Sequence, residues 1–265
     1  MAHKEGIRLK KKYGQHFLHD ESVVHTMLDN VTLDNNTSIF EIGCGEGFLT
    51  SRILNTPIAR LWIFEIDPEW AAYVRNTISD SRLHVFQENF LDTDLTQLQD
   101  HAPWTVLANL PYQVTFPILH RFQEYRHLLK EGVIMVQEEV AQKLVKKRGR
   151  DYGFVSLYFQ WYFDLALLSK IPPRAFFPEP KVDSRLVYFK PRTQLPEIPQ
   201  QDVFWRFIKN CFKQPRRTLR NNLAQSHHKI IQELPEQTLA LRAQQLSIND
   251  FLSLWNQVLS IMSHN

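Results

Sequence analysis

A short apolar segment, followed directly by a glycine-rich loop and a helix-forming segment, constrains the fold of this chain most. The segment is Ser38–Ile42, the loop is Gly43-Cys44-Gly45-Glu46-Gly47, and the helical segment is Phe48–Leu54. In doubly wound α/β proteins, this arrangement places a nucleotide-type ligand at the carboxyl end of a parallel strand. The Gly-x-Gly-x-Gly spacing differs from the dinucleotide fingerprint, and the loop lacks the Gly-Lys-Ser/Thr of a P-loop. The loop therefore predicts a nucleotide-type ligand, but it is not expected to bind phosphate groups.

Further strand-like segments alternate with helix-like ones, which is typical of a doubly wound, mostly parallel sheet. They are residues 61–64, 83–86, a run that starts at Trp104, 132–136, and a late pair at 165–168 and 186–189. Glu65 ends the second strand, about 20 residues after Gly43, the separation at which an acid accepts hydrogen bonds from ribose hydroxyls. Asp67, ahead of Pro68, is expected to cap a helix.

The run from Trp104 ends in Asn109-Leu110-Pro111-Tyr112. Pro111 fixes its own φ and biases Leu110 away from the helical region, so the turn is held extended. Asn109 offers an amide carbonyl and an amide NH₂, and Tyr112 offers a flat ring with a polar tip. These groups suit a planar ring that carries an exocyclic amine. On these four residues alone, a strand end followed by an ordinary proline turn remains the alternative.

Composition restricts the class of protein. The chain has 265 residues, of which 43% are apolar and 22% charged, as in globular proteins that are not membrane-bound. No apolar stretch approaches the roughly 20 residues that span a bilayer. The basic N-terminus has no apolar segment after it, so no signal peptide is predicted. Two cysteines are too few for a disulfide framework or a zinc site, and we expect a cytoplasmic protein without a membrane partner.

A proline-containing stretch, residues 191–199, is typical of a linker. Beyond it, residues 203–212, 217–223, 236–242 and 249–261 are amphipathic with helical spacing. The sequence therefore predicts an α/β domain at 1–192 and a small all-helical domain at 193–265. Residues 152–163 are aromatic and apolar, and we expect a helix there that packs in the core.

Positive charge is concentrated in three blocks, although the net charge is only +3. Blocks of this kind favour a partner with a phosphate backbone. Their cations are Lys4, Arg8, Lys10, Lys11 and Lys12; Lys143, Lys146, Lys147, Arg148 and Arg150; and Lys213, Arg216, Arg217 and Arg220.

Taken together, five motifs resemble those of the ribosomal RNA adenine dimethyltransferases over nearly the whole chain, in the family's small-subunit branch. They are Tyr13-Gly14-Gln15-His16-Phe17-Leu18, the glycine loop with Glu41 before it, Asn109-Leu110-Pro111-Tyr112, Phe177-Pro178-Glu179-Pro180-Lys181-Val182-Asp183-Ser184, and Arg216-Arg217-Thr218-Leu219-Arg220-Asn221. The resemblance implies a Rossmann-like class I S-adenosylmethionine methyltransferase fold with a seven-stranded, mostly parallel sheet. It also implies a helical rRNA-binding domain.

The resemblance further implies a reaction and a substrate. Methyl groups would pass from S-adenosylmethionine to the N6 amines of two adjacent adenosines in the 3′-terminal hairpin of 16S rRNA. The substrate would be a pre-30S particle, and the chain would act as a monomer.

The resemblance also assigns roles to residues. The catalytic set is Asn109, Leu110, Pro111 and Tyr112. The cofactor-binding set is His16, Leu18, Gly43, Gly45, Glu65, Asn89 and Asn109. The RNA-binding set is Lys146, Lys147, Arg148, Phe177, Lys181, Arg216, Arg217 and Arg220.

Three positions depart from the family pattern. Asn89 stands where the family usually has Asp, so either Asn89 or nearby Asp92 would accept a hydrogen bond from the adenine amine of the cofactor. Gln113 and Phe154 stand where an Asn and a basic residue are usual. Two alternatives stay open: the large-subunit methyltransferase of macrolide resistance, disfavoured by the Arg216–Asn221 motif, and a non-catalytic ribosome-assembly or transcription factor.

Overall fold

The computed structural model describes residues 3–10, 13–224 and 228–263, so Lys11 and Lys12 lie outside the described residues. The chain forms two compact units, one from residues 1–141 and 163–191, the other from 142–162 and 192–265. The sequence-based division after residue 192 differs from this one in residues 142–162 and in Arg192, which belong to the second unit.

Strands and helices are numbered in chain order. The strands are β1 (His3–Lys4), β2 (Ile7–Arg8), β3 (Phe17–Leu18), β4 (Ser38–Ile42), β5 (Arg60–Phe64), β6 (Leu83–Phe86), β7 (Trp104–Asn109), β8 (Leu129–Gln137), β9 (Phe163–Ile171), β10 (Phe176–Phe177) and β11 (Ser184–Pro191). The helices are α1 (Glu21–Asp29), α2 (Phe48–Leu54), α3 (Pro68–Thr77), α4 (Thr115–Glu124), α5 (Glu138–Val145), α6 (Phe154–Tyr162), α7 (Gln201–Cys211), α8 (Leu219–Leu223), α9 (His228–Glu233), α10 (Glu236–Leu239) and α11 (Ile248–Ser263).

A seven-stranded sheet organises the first unit, in the order β6-β5-β4-β7-β8-β11-β9. The strands β4 to β8 are mutually parallel, and β11 is antiparallel to both of its neighbours. The predicted seven-stranded, mostly parallel sheet with a late strand pair is therefore confirmed.

The order of the strands reverses between β4 and β7. From β4 the chain moves outward through β5 and β6, then returns to β7 on the other side of β4. Crevices at the carboxyl ends of strands at such a switch point are the usual ligand sites of open α/β sheets. The glycine loop follows β4 and the Asn109 turn follows β7, so both motifs lie at this point.

The central strands are mostly apolar because both faces of the sheet are covered. All five residues of β4 are buried, as are the first five of β7. Phe40 at the middle of β4 stacks on Trp104 with ring centroids 4.5 Å apart, and contacts Trp62 and Phe64 edge-on. This aromatic packing joins β4, β5 and β7, the strands whose ends carry the site.

Side-chain caps fix the starts of two helices beside the sheet. Asp20 caps α1 by accepting from the Ser22 backbone N–H at 3.0 Å. Asp67 caps α3, with Pro68 in its first turn, by accepting from the Glu69 N–H at 3.2 Å. The predicted cap at Asp67 is confirmed.

Two short strand pairs were not predicted. One is a hairpin of β1 and β2, and the other pairs β3 with β10. Phe176 is opposite Leu18 and Phe177 is opposite Phe17 in the second pair. Backbone pairing between segments so far apart in the chain leaves no local sequence signal, yet it brings the His16 and Phe177 motifs together.

The second unit is built from helices, with only an isolated bridge between Thr218 and Arg242 among its described residues. Its aromatic core centres on Trp205 of α7, whose ring contacts Tyr158 at 4.9 Å. The Tyr162 hydroxyl accepts from Trp205 Nε1 at 2.9 Å. These contacts explain why residues 154–162 belong with this unit. The predicted helix at 152–163 was right in kind, but Phe163 begins β9 instead.

The predicted helices of the tail are present with shifted bounds. Residues 217–218 and 240–242 lie outside α8 and α10. Within the predicted linker, Ile198 is buried and the Pro199 carbonyl accepts from Trp255 Nε1 at 2.8 Å. Among the described residues, no helix is long and apolar enough to cross a membrane.

Candidate functional site

A cleft of about 330 Å³ opens in the first unit, at the carboxyl ends of β4, β5, β6 and β7. It brings together every residue predicted to be catalytic or to bind the cofactor. These residues are His16, Leu18, Gly43, Gly45, Glu65, Asn89, Asn109, Leu110, Pro111 and Tyr112.

The glycine loop forms one wall of the cleft with a backbone that side chains rarely adopt. Gly43 has φ +76°, and a Cβ atom built on it meets nothing within 4 Å. Gly45 has φ +52°, and a Cβ there would lie 2.7 Å from the ring of buried Phe17. Gly43 therefore leaves open space that a ligand can approach closely, whereas Gly45 allows the loop to pack under Phe17.

Glu65 lies at the end of β5 and braces the glycine loop. Its carboxylate accepts from the backbone N–H of Asp67 at 2.8 Å and of Gly45 at 3.3 Å. Burial raises the pKa of this carboxyl, although the hydrogen bonds oppose the rise. An acid held in this way faces the cleft with a fixed orientation.

Glu41 is a second buried acid in the cleft, and the sequence motifs gave it no separate role. It is 1% exposed and accepts from the Thr50 hydroxyl at 2.7 Å. Burial raises its pKa to about 8. The sequence signal that could have identified Glu41 is its position: it is a polar residue inside a fully buried strand, two residues before Gly43.

The N-terminal segment lies over the cleft and is tied to α3 and to the glycine loop. Lys10 forms ion pairs with Asp67 at 2.5 Å and with Glu69. The Gln15 amide donates to Asp67 at 3.0 Å, and Lys4 pairs with Glu46 at 2.6 Å. The side-chain charges of Lys4 and Lys10 therefore have carboxylate partners within the unit.

Asn109 is oriented by the backbone of the N-terminal segment. Its amide Nδ2 donates to the His16 carbonyl at 3.0 Å. Because that bond fixes the amide plane, it directs the Oδ1 atom away from His16, and within the described part of the chain Oδ1 accepts no hydrogen bond. The His16 ring Nδ1 lies 2.7 Å from the Pro178 carbonyl and donates to it, because a carbonyl only accepts.

Tyr112 presents its ring at the edge of the cleft. The ring stacks on His16 with centroids 5.7 Å apart and an interplanar angle of 25°. Its hydroxyl lies 2.5 Å from the Ser184 Oγ at the start of β11. Phe177 lies on the β10 side of the β3–β10 pair and is 43% exposed.

The departures from the family pattern have local structural consequences. Asn89 lines the cleft and Asp92 does not. The Asn89 amide donates to Asp92 at 2.7 Å, and its Oδ1 accepts from the Leu91 N–H at 3.1 Å. Gln113 packs against Gly14, and Phe154 packs against Tyr158 and Trp205 of the helical unit.

The residues predicted to bind RNA are divided between the units. Lys181 and Phe177 are exposed in the first unit. The second unit carries Lys146, Lys147, Arg148, Arg216 and Arg217, which are all exposed. Arg220 is half-buried and forms an ion pair with Glu236. The basic blocks at residues 143–150 and 213–220 therefore both belong to the helical unit.

Comparison with known protein families identifies the family to which these motifs belong. The profile of the family described as ribosomal RNA adenine dimethylase matches residues 6–259. A ribosomal RNA small subunit methyltransferase A from Chlorobium phaeobacteroides is 34% identical over 97% of this chain and 93% of its own length. The protein of that name from Syntrophotalea carbinolica is 37% identical over 82% of each chain.

Solved structures share the architecture over both units. A dimethyladenosine transferase from Plasmodium falciparum superposes with a TM-score of 0.78 at 20% identity, covering 93% of this chain and 98% of that one. The 23S rRNA methyltransferase ErmE gives 0.68 at 22% identity, covering 91% and 98%. Identities this low show a common fold only.

Proposed function

We propose a reaction for this chain, which belongs to the ribosomal RNA adenine dimethylase family: it transfers methyl groups from S-adenosylmethionine to the N6 amines of two adjacent adenosines in small-subunit rRNA. The observation that carries the proposal is the orientation of Asn109. Its amide is held by the His16 carbonyl, and it lies in the same cleft as the Gly43 loop and Tyr112.

The residues of the cleft fit S-adenosylmethionine as the methyl donor. Gly43 leaves room for the methionine part, since nothing lies within 4 Å of the position a Cβ would take. Glu65 would accept from the ribose hydroxyls, and Asn89, which follows β6 and lines the cleft, would meet the adenine. When bound, the sulfonium would supply an electrophilic methyl group.

The chemistry left to the protein is positioning of the amine. The lone pair of an adenine N6 amine is delocalised into the ring, so the nitrogen is a weak nucleophile. Asn109 Oδ1 and the Leu110 carbonyl would accept from the two N–H groups and favour a pyramidal nitrogen with its lone pair directed at the methyl group. Holding reactants in line in this way can replace a general base as the main source of rate.

The target base must leave its stack to reach the cleft, which costs a few kcal/mol. Stacking on Tyr112 and Phe177 would return about 1–3 kcal/mol per base. Phe177 is exposed at the β3–β10 pair next to the His16 segment, so its ring is available to a base. Leu110 and Pro111 would hold the turn that presents Asn109 and Tyr112 together.

The names of the relatives and the charge of the helical unit support the small subunit as substrate. Relatives at 34% and 37% identity are named for the small subunit, whereas ErmE is matched in fold alone. We propose an immature 30S particle in the cytoplasm as the substrate, the 3′-terminal hairpin of 16S rRNA as the target, and a monomer as the active form. Lys146, Lys147, Arg148, Arg216 and Arg217 would meet RNA phosphates, and Lys181 those near the cleft.

The test is to map dimethyladenosine in rRNA after incubation with the purified chain and S-adenosylmethionine. Small and large ribosomal subunits lacking adenine dimethylation are incubated separately, and their nucleosides are measured by mass spectrometry. Two dimethyladenosines in the small subunit and none in the large are expected. Modification of the large subunit would favour the macrolide-resistance reaction, and binding without modification would favour an assembly factor.

A further inference from the structure

Tyr112 is the ring on which the proposed function places the target adenine, and its plane is set by two contacts. One face stacks on His16 at 5.7 Å, so a second aromatic ring can stack only on the opposite face. The hydroxyl, the single polar atom of the side chain, lies 2.5 Å from Ser184 Oγ. The ring is therefore held at its tip as well as along one face.

Ser184 has the placement of a rigid anchor. It is 0% exposed and is the first residue of β11, paired with Gln137 on one neighbouring strand and with Ile171 on the other. A strand between two partners moves less than the loop that precedes it. A group whose own position is locked by the scaffold can hold a neighbouring side chain at the required angle.

The buried hydroxyl group of Ser184 also needs a hydrogen-bond partner. A buried hydroxyl without a hydrogen bond destabilises the fold, so a hydrogen bond to the Ser184 hydroxyl is favourable. Tyr112 lies 72 residues away in sequence and supplies that contact from the turn after β7.

We infer that Ser184 is a positioning residue for methyl transfer: through the Tyr112 hydroxyl it sets the plane on which the target adenine stacks. The inference rests on the proposed function and adds a residue that does not itself touch the base. It also gives the β11 end of the Phe177–Ser184 motif a role of its own, distinct from that of Phe177.

The experiment compares Ser184→Ala, Tyr112→Phe and the double variant. The matched control is Ser38→Ala, because Ser38 is 1% exposed in the same sheet and its Oγ has no hydrogen-bond partner among the described residues. Each variant is first titrated with S-adenosylhomocysteine to confirm that the cofactor site is intact. Single-turnover methyl transfer to small subunits is then measured at saturating S-adenosylmethionine.

Each single variant is expected to lower the transfer rate about three- to tenfold, the effect of one neutral hydrogen bond. The double variant should be no slower than the slower single variant, because both changes remove the same bond. RNA affinity should change little, since phosphate contacts dominate it. With 2-aminopurine at the target position, stacking on Tyr112 quenches fluorescence, and Ser184→Ala should weaken that quenching whereas Ser38→Ala should not.

Several outcomes would overturn the inference while leaving the proposed function in place. They are a Ser184→Ala rate equal to that of Ser38→Ala, effects of the single variants that multiply in the double variant, or unchanged quenching. If Ser184→Ala fails to bind S-adenosylhomocysteine, Tyr112→Phe decides alone, because unchanged quenching in that variant refutes the role of the bond. A wild-type protein that transfers no methyl group would instead refute the proposed function.

Discussion

Replacing Gly43 by alanine tests whether the ligand of the cleft approaches the glycine loop as closely as the structure implies. The new methyl group would meet no protein atom within 4 Å, so its steric effect should fall on the ligand. The backbone at φ +76° would be strained by a side chain, which costs about 1–2 kcal/mol of folding stability. Binding of the ligand should also weaken, an effect that strain in folding alone does not produce.

Gly6 provides the matched control, because it lies in the same unit with the same φ of +76° and also has nothing within 4 Å of its Cβ position. It does not line the cleft. Gly6→Ala should therefore lose about 1–2 kcal/mol of stability and keep its affinity. Gly45→Ala should be less stable than either, because its Cβ would lie 2.7 Å from the Phe17 ring.

Urea unfolding gives the stability of the three variants, and calorimetry with S-adenosylhomocysteine gives their affinity. Gly43→Ala is expected to bind at least tenfold more weakly than Gly6→Ala at similar stability. That factor is about 1.4 kcal/mol of binding free energy. Equal affinities in the two variants would refute the reasoning that the open space at Gly43 holds part of the cofactor.

Three further perturbations test other parts of the site. Glu65→Ala should weaken S-adenosylhomocysteine binding in calorimetry by about 1.5–3 kcal/mol, the contribution of hydrogen bonds to a charged group, and an unchanged affinity would remove Glu65 from the ribose. The double variant Arg216→Ala, Arg217→Ala should bind rRNA with a weaker dependence on salt. The slope of log affinity against log salt should flatten by about 0.7–0.9 for each phosphate that the variant no longer neutralises. As a control, changing the exposed Arg206 and Lys209 of α7 to Ala should leave the slope unchanged. Glu41 has a folded-state pKa of about 8, above its unfolded value, so wild-type stability falls as pH rises from about 4.5 to 8. Glu41→Gln should remove that fall. The pH-dependent difference in unfolding free energy between wild type and variant, measured in urea, should be on the order of a few kcal/mol at pH 8 and absent at pH 5.

The parts of the fold that sequence predicts well are those with local signals. The apolar run of β4 and the glycines after it form one continuous segment, and Glu65 and Asn109 end strands whose apolar character is plain. Because carboxyl ends of parallel strands meet at one edge, the sequence also predicts that these residues share a site. The structure places them in one cleft.

The contacts that the sequence could not predict are those between residues far apart in the chain. Lys4 and Lys10 look like members of a basic arm, yet their carboxylate partners lie 42 and 57 residues away. The Ser184–Tyr112 contact spans 72 residues and depends on the position of β11 in the sheet. Residues 142–162 join the helical unit because Tyr158 and Tyr162 pack on Trp205, a preference that periodicity alone does not reveal.

The most direct test of the proposed reaction is methyl transfer by Asn109→Ala. The substitution removes the oxygen proposed to accept from the target amine, together with the bond to the His16 carbonyl, while the buried strand that precedes it is unchanged. Small subunits lacking dimethyladenosine are incubated with wild type or variant at saturating S-adenosylmethionine, and their nucleosides are quantified by mass spectrometry. We expect a rate about 10²–10³ lower in the variant, the typical effect of removing one positioned polar group at a reacting centre. Full dimethylation by Asn109→Ala, at the wild-type rate, would contradict the proposed role of Asn109.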